Sequence, residues 1–250
     1  MTAIPISLYL LAALGVYTFQ GSMIYLPNDR ALANCELPAG TQHWAQDGEQ
    51  GLVTAADNKN LVIFFHGNAD SACNWRFLGA NHLTPLGFDT LVVEYAGYGG
   101  DPRKPSKREI LHAIAAAHDW ADDKYQNVTL FGYSLGSGAA SIYANHYGAD
   151  RVILFAPYDS VYNVALGQGF YFPRFILTED FDNIKMLAPL DIRVHILHGE
   201  DDSVIPAHHS ANLVEHLQNA TRQTLAGVGH TGLFNSPEFD IYLQEILTNE

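Results

Sequence analysis

Positive charge is scarce in this chain: 13 lysines and arginines stand against 27 aspartates and glutamates in 250 residues, a formal net charge of −14 at pH 7. A nucleic-acid partner needs a basic face to neutralise phosphates, and these few cations are scattered, so no nucleic-acid role is expected. Charge of either sign is low at 16%, while hydrophobic residues make up 48%. A chain so composed buries a core instead of staying disordered. Cysteine is limited to Cys35 and Cys73. They could pair in an oxidising compartment or remain two small buried thiols, and their spacing decides neither. There is no C-x-x-C, so no structural zinc site is expected. Repeats and low-complexity linkers are also missing, and 250 residues suit one large α/β domain better than two.

A second absence is local. From Met1 to Asn28 there is no charged side chain. A helix over Ala3–Phe19 would be about 26 Å long, slightly under a hydrocarbon core of roughly 30 Å. Residues 1–21 therefore read as an apolar leader: an uncleaved membrane anchor, a cleaved export signal, or a helix packed on the domain. A cleaved signal normally opens with lysine or arginine, which this one lacks, and Ala31-Leu32-Ala33 lies beyond the charged Asp29 and Arg30. The expected location is membrane-associated or exported. Sidedness stays open, because the flanking charge is too sparse to orient a helix.

Residues 22–250 read as the folded domain. Ser22–Leu26, Thr41–Ala45 and Leu52–Ala55 are short strand patterns broken by Pro, Asn and Gly, an expected antiparallel start. Then come near-continuous apolar runs at Leu61–Phe65, Thr90–Tyr95, Val128–Phe131, Val152–Phe155 and Val194–Leu197. Such runs suit strands covered on both faces. Helical periodicity appears between and after them, over Ser106–Lys124, Ala207–Leu217 and Pro237–Leu247. Strand–helix alternation with right-handed crossovers gives an α/β fold with a mostly parallel central sheet and helices on both faces. Residues 158–189 show no clean strand and many aromatics, which suggests a small cap.

The chemistry-bearing motif is Gly132-Tyr133-Ser134-Leu135-Gly136, between the strand Val128–Phe131 and the small residues Ser137-Gly138-Ala139-Ala140. A G-x-S-x-G turn between strand and helix exposes a serine on a sharp corner and needs small residues two before and two after it. Ser134 is thus the candidate nucleophile. Its oxyanion would be held by the main-chain N–H of Leu135 and by that of Asn68, in the loop after the first apolar run. His66, which precedes that loop's glycine, reads as a structural hydrogen-bonding residue. The acid should follow a late strand, and Glu200-Asp201-Asp202 does. Asp202 is preferred because Ser-Val-Ile-Pro then turns the chain away. Asp201 and Asp159 remain as alternatives. The base should lie in a loop after the last strand, and Gly229-His230-Thr231 supplies His230. His195, His198, His208 and His209 build no closed ligand set, so neither metal nor cofactor is expected.

His66-Gly67-Asn68, Glu94-Tyr95-Ala96-Gly97-Tyr98-Gly99, the Ser134 motif, His198-Gly199-x-x-Asp202-x-x-Ile205-Pro206 and Gly229-His230 occur in this order. The set resembles the α/β-hydrolase superfamily, in the branch of abhydrolase-domain lipases and depalmitoylases, Bem46-like proteins and serine aminopeptidase-like hydrolases. The apolar leader followed by Met23-Ile24-Tyr25-Leu26-Pro27 resembles that branch's membrane-anchored start. Glu94 and Ala96 depart from the Asp and Arg usual there, which puts a loop-bracing ion pair in doubt. The resemblance implies hydrolysis of esters, thioesters or amides. Phe170, Phe172 and Phe175 are expected to line an apolar acyl pocket, favouring a small-molecule or lipid-like acyl ester as substrate. The alternatives are an aminopeptidase-like peptidase and a non-catalytic binding module.

Overall fold

A computed structural model describes residues 6–248. Eight strands form one sheet: β1 (Thr41–Gln46), β2 (Glu49–Thr54), β3 (Asn60–Phe65), β4 (Phe88–Val93), β5 (Asn127–Tyr133), β6 (Arg151–Phe155), β7 (Arg193–Gly199) and β8 (Ala220–Leu225). Their order is β1-β2-β4-β3-β5-β6-β7-β8, with β1, β2 and β4 paired antiparallel and the remainder parallel. The expected apolar runs are the parallel strands. On β3, Leu61, Ile63 and Phe65 face one core layer while Val62 and Phe64 face the other. A strand buried on both faces has no use for a polar alternation, which is why its sequence shows none.

Two early boundaries differ from the sequence reading. Asp47 and Gly48 both have positive φ and close a tight β1–β2 hairpin, so β2 begins at Glu49. Asp-Gly is a strong two-residue turn signal, and it outweighs the weak strand pattern around it. Ser22–Leu26 is not a strand. Helix α1 runs over Ile6–Ile24, and Tyr25 N–H still bonds back to Gly21 O at 2.9 Å. This apolar stretch has no strand beside it, so the backbone satisfies itself helically. The expected start at Ala3 lies outside the described residues.

Six further helices flank the sheet: α2 (Lys107–Ala121), α3 (Leu135–Tyr147), α4 (Val161–Gly167), α5 (Asn183–Leu187), α6 (His208–His216) and α7 (Glu238–Thr248). The Ser106 hydroxyl caps α2 by accepting from Glu109 N–H. Residues 158–189 hold α4 and α5, joined by an irregular segment with one short turn at Arg174–Ile176. That segment lies along α1: the Phe172 ring sits 5.1 Å from that of Tyr9, and Gln20 donates to Ile176 O and accepts from Glu179 N–H. Helix α1 is long and apolar enough to cross a membrane by length and composition, and most of its residues are exposed, with Ala13 and Gln20 buried. Cys35 and Cys73 are joined in a disulfide.

The chain passes from β3 outward to β4, then crosses back to β5 on the other side of β3. In open α/β sheets the crevice beyond the carboxyl ends of strands at such a reversal is where ligands bind. Here β3 delivers His66-Gly67-Asn68 to that crevice and β5 delivers Ser134.

Candidate active site

Ser134 sits between β5 and α3 with φ 51° and ψ −113°. A non-glycine residue held there is strained, and such strain persists only where surrounding structure enforces it. Close packing does so here. A Cβ at Gly132 would lie 2.6 Å from Gly136 O, and one at Gly136 would strike the carbonyl of Phe65. These glycines let α3 start hard against β3 and β5, with its N-terminal partial positive charge beside Ser134.

His230 Nε2 lies 2.9 Å from Ser134 Oγ, and His230 Nδ1 lies 2.7 Å from Asp202 Oδ2. Asp202 is buried, and burial alone would raise its pKa. His198, His230 and the Ile205 N–H instead hold the carboxyl well below the usual carboxylate range. Its Oδ1 accepts from Val204 and Ile205 N–H at 2.9 and 2.8 Å, and its Oδ2 also faces His198 Nε2 at 3.2 Å. Asp201 is exposed, and among the described residues its carboxylate makes no hydrogen bond to this group. Asp159 is buried elsewhere, bonded by His209 Nδ1, Asn163 Nδ2, Asn212 Nδ2 and Ser160 N–H. Burial opposes ionisation of Asp159, but the His209, Asn212 and Asn163 hydrogen bonds lower its pKa to about 2.

That shift has a consequence for stability. A depressed carboxylate stabilises the fold at pH above its unfolded value of about 3.9, and the contribution disappears as pH falls through the folded value. Asp159→Asn should therefore lower the melting temperature at pH 6, with the gap to wild type closing as the pH approaches about 2. A gap that is independent of pH between 6 and 2 would contradict this.

Asn68 and Leu135 line the same cavity as Ser134. Among the described residues no hydrogen bond engages the Asn68 N–H, and Leu135 N–H belongs to the unpaired first turn of α3. A Cβ at Gly67 would be 2.9 Å from the Tyr133 ring and 3.5 Å from Ser134 Cβ, so only glycine lets the loop pass this close. A buried ion pair does brace the loop. His66 Nε2 donates to Glu94 Oε1 at 2.8 Å, and its Nδ1 donates to Gly67 O at 2.8 Å. Burial disfavours the imidazolium, but Glu94, aided by Asp70 and the Gly67 carbonyl, pushes the His66 pKa up. Glu94 Oε2 also accepts from Ala72 N–H.

The cavity over Ser134 is about 340 Å³ and largely apolar, lined by Met23, Ile24 and Leu26 on one side and Val161, Val164 and Ala165 on another. Tyr158, Gln168, Val204 and Ile205 line the remainder. The structure does not bring Phe170, Phe172 or Phe175 to it. The chain leaves α4 at Gln168 and turns through Gly169 (φ 89°) toward α1, so Phe172 meets Tyr9. Phe175 is 78% exposed, beside a separate cavity of about 500 Å³ with Arg174 and Lys107. The Met23–Leu26 segment was legible only as the start of the domain that follows the apolar leader, and nothing in its sequence marked it as a cavity wall.

An eight-stranded sheet with a strained serine between its fifth strand and third helix, facing histidine and aspartate from later loops, defines the α/β-hydrolase architecture. The comparisons agree. The family profile for the alpha/beta hydrolase fold matches residues 60–175. An uncharacterized protein of Mycobacterium tuberculosis (strain CDC 1551 / Oshkosh) is 30% identical over 256 residues, covering 94% of this chain and 89% of its own. Lysophosphatidylserine lipase ABHD12 of Mus musculus is 25% identical over 245 residues, covering 82% of this chain and 58% of the lipase. Among solved structures, an esterase of Exiguobacterium antarcticum superposes with TM-score 0.64 at 17% identity, over 83% of this chain and 99% of the esterase. The chain belongs to the α/β-hydrolase family.

Proposed function

We propose that this hydrolase cleaves acyl esters through an acyl-enzyme, with Ser134 as nucleophile, His230 as general base and Asp202 as orienting acid. The observation that carries the reading is the unbroken line from Ser134 Oγ through the His230 ring to Asp202 Oδ2. Ser134 Oγ attacks the carbonyl carbon and passes its proton to His230 Nε2. Asp202 accepts from Nδ1–H, which fixes the tautomer and stabilises the imidazolium. The developing oxyanion is held by the N–H groups of Asn68 and Leu135. His230 then protonates the leaving oxygen, and water deacylates the serine by the same steps in reverse.

The apolar cavity and the likeness to a lysophosphatidylserine lipase favour a lipid-like acyl chain. The peptidase alternative gains no support from the cavity, whose lining residues include no carboxylate that could anchor a peptide amine. Helix α1 serves as the membrane attachment, since most of its apolar side chains are exposed. A panel of p-nitrophenyl esters beside an aminoacyl anilide tests the substrate class. Each added methylene should contribute about 0.8 kcal/mol, or about fourfold in kcat/KM, until the cavity is full. A flat chain-length profile together with faster anilide cleavage would sink the ester reading.

A further inference from the structure

The Asn68 side chain does none of the chemistry assigned to its main chain, yet it is heavily engaged. Its Nδ2 donates to Ile24 O at 2.6 Å. Its Oδ1 accepts from Leu26 N–H at 2.8 Å, Tyr98 O–H at 2.6 Å and Ala69 N–H at 3.1 Å. A half-buried asparagine in a βα loop could satisfy itself with water. This one instead joins both backbone groups of the turn that leaves α1. The loop it holds is not at rest, because Ala69 has φ 54°. More ties run along the same two segments: Asn28 Nδ2 donates to Ala69 O, Arg30 Nη1 donates to Asn74 Oδ1, and Cys35 is bonded to Cys73. Residues 24–35 thus lie strapped against residues 68–74. Met23, Ile24 and Leu26 at the head of that strap face the cavity over Ser134.

We propose that the exit turn of α1, Met23 to Leu26, is part of the active site: it clamps the Asn68 side chain so that the Asn68 N–H stays aimed at the oxyanion, and its side chains set the acyl length the cavity accepts. This rests on the serine-hydrolase reading above. Asn68 then has two separable parts, a main-chain N–H that touches the reacting group and a side chain that positions it. Tyr98 acts through the same clamp.

The full chain carries the test, with p-nitrophenyl esters as substrates. Asn68→Ala keeps the N–H and removes the clamp, so kcat on the acetate should fall roughly 10- to 100-fold while KM moves little, as expected when a transition-state donor is misplaced. Tyr98→Phe should cost less, and the double variant should cost no more than Asn68→Ala alone, because both act through one side chain. A purely structural role would lower the melting temperature and leave kcat in place; that result, or additive losses, overturns the proposal. Should Asn68→Ala fail to fold, Met23→Trp decides. It fills the cavity from the strap side, so the longest accepted acyl chain should become shorter, and an unmoved limit overturns the proposal. Ser134→Ala separates the two readings. Turnover surviving it sinks the hydrolase mechanism and this inference together, whereas turnover lost there but intact in Asn68→Ala sinks this inference alone.

Discussion

Ser134→Ala should remove ester turnover and fluorophosphonate labelling together, with kcat falling by about 10⁶-fold. The size follows from the step that is lost. Without Oγ no acyl-enzyme forms, and the remaining N–H donors and binding contacts can assist only direct attack by water. The fold should be unaffected, because among the described residues the Ser134 side chain bonds only to His230, and its unusual backbone is enforced by neighbours that remain. Near-wild-type melting together with abolished turnover is the expected pair. Retained turnover at even a tenth of the wild-type rate would remove Ser134 from the mechanism.

Asp202→Asn should lower kcat by about 10⁴-fold at neutral pH, and the reason is specific to this loop. Asp202 Oδ1 accepts from two backbone N–H groups, those of Val204 and Ile205. An asparagine must keep its carbonyl oxygen there, which turns its NH₂ toward His230 Nδ1 and His198 Nε2. The amide then favours the histidine tautomer with its proton on Nε2, where it cannot accept from Ser134. Asp201→Asn, at an exposed carboxylate, should change kcat by less than about twofold. Rate measurements on the two single variants decide it. If Asp201→Asn or Asp159→Asn caused the large loss and Asp202→Asn did not, the acid would be misassigned.

Much of this architecture was legible because buried parallel strands leave a coarse signature. Leu61–Phe65 and Val152–Phe155 are short apolar runs that suit covered strands, and Ser134 and Asp202 each stand just after such a run. β8 left no such mark. As an edge strand reading Ala-Thr-Arg-Gln-Thr-Leu, it is largely exposed. Its polar side chains give no apolar period to read. The cavity wall was illegible for a different reason. Phe170, Phe172 and Phe175 look like an acyl pocket because they are aromatic and clustered, yet aromatic clusters also serve to seat one segment on another: Phe172 packs on Tyr9 of α1, Phe170 packs on Phe172, and Phe175 is exposed. Met23, Ile24 and Leu26 line the cavity over Ser134, and the Asn68 side chain bonds the backbone of Ile24 and Leu26 there. That contact joins residues 42 and 44 positions apart in sequence. Cys35 and Cys73 were undecidable for the same reason, since their approach depends on that strap.

The left-handed backbone at Ser134 sets the two demands on this position against each other. The residue that best tolerates φ 51° is glycine, which has no side chain to attack a carbonyl. Random substitution screened for heat resistance alone would be free to relax this corner with glycine, and under the proposed mechanism such descendants would be inactive. Activity must therefore be scored alongside stability in any effort to harden this enzyme. A consensus drawn from relatives that have lost the serine would mislead at the position where it matters most.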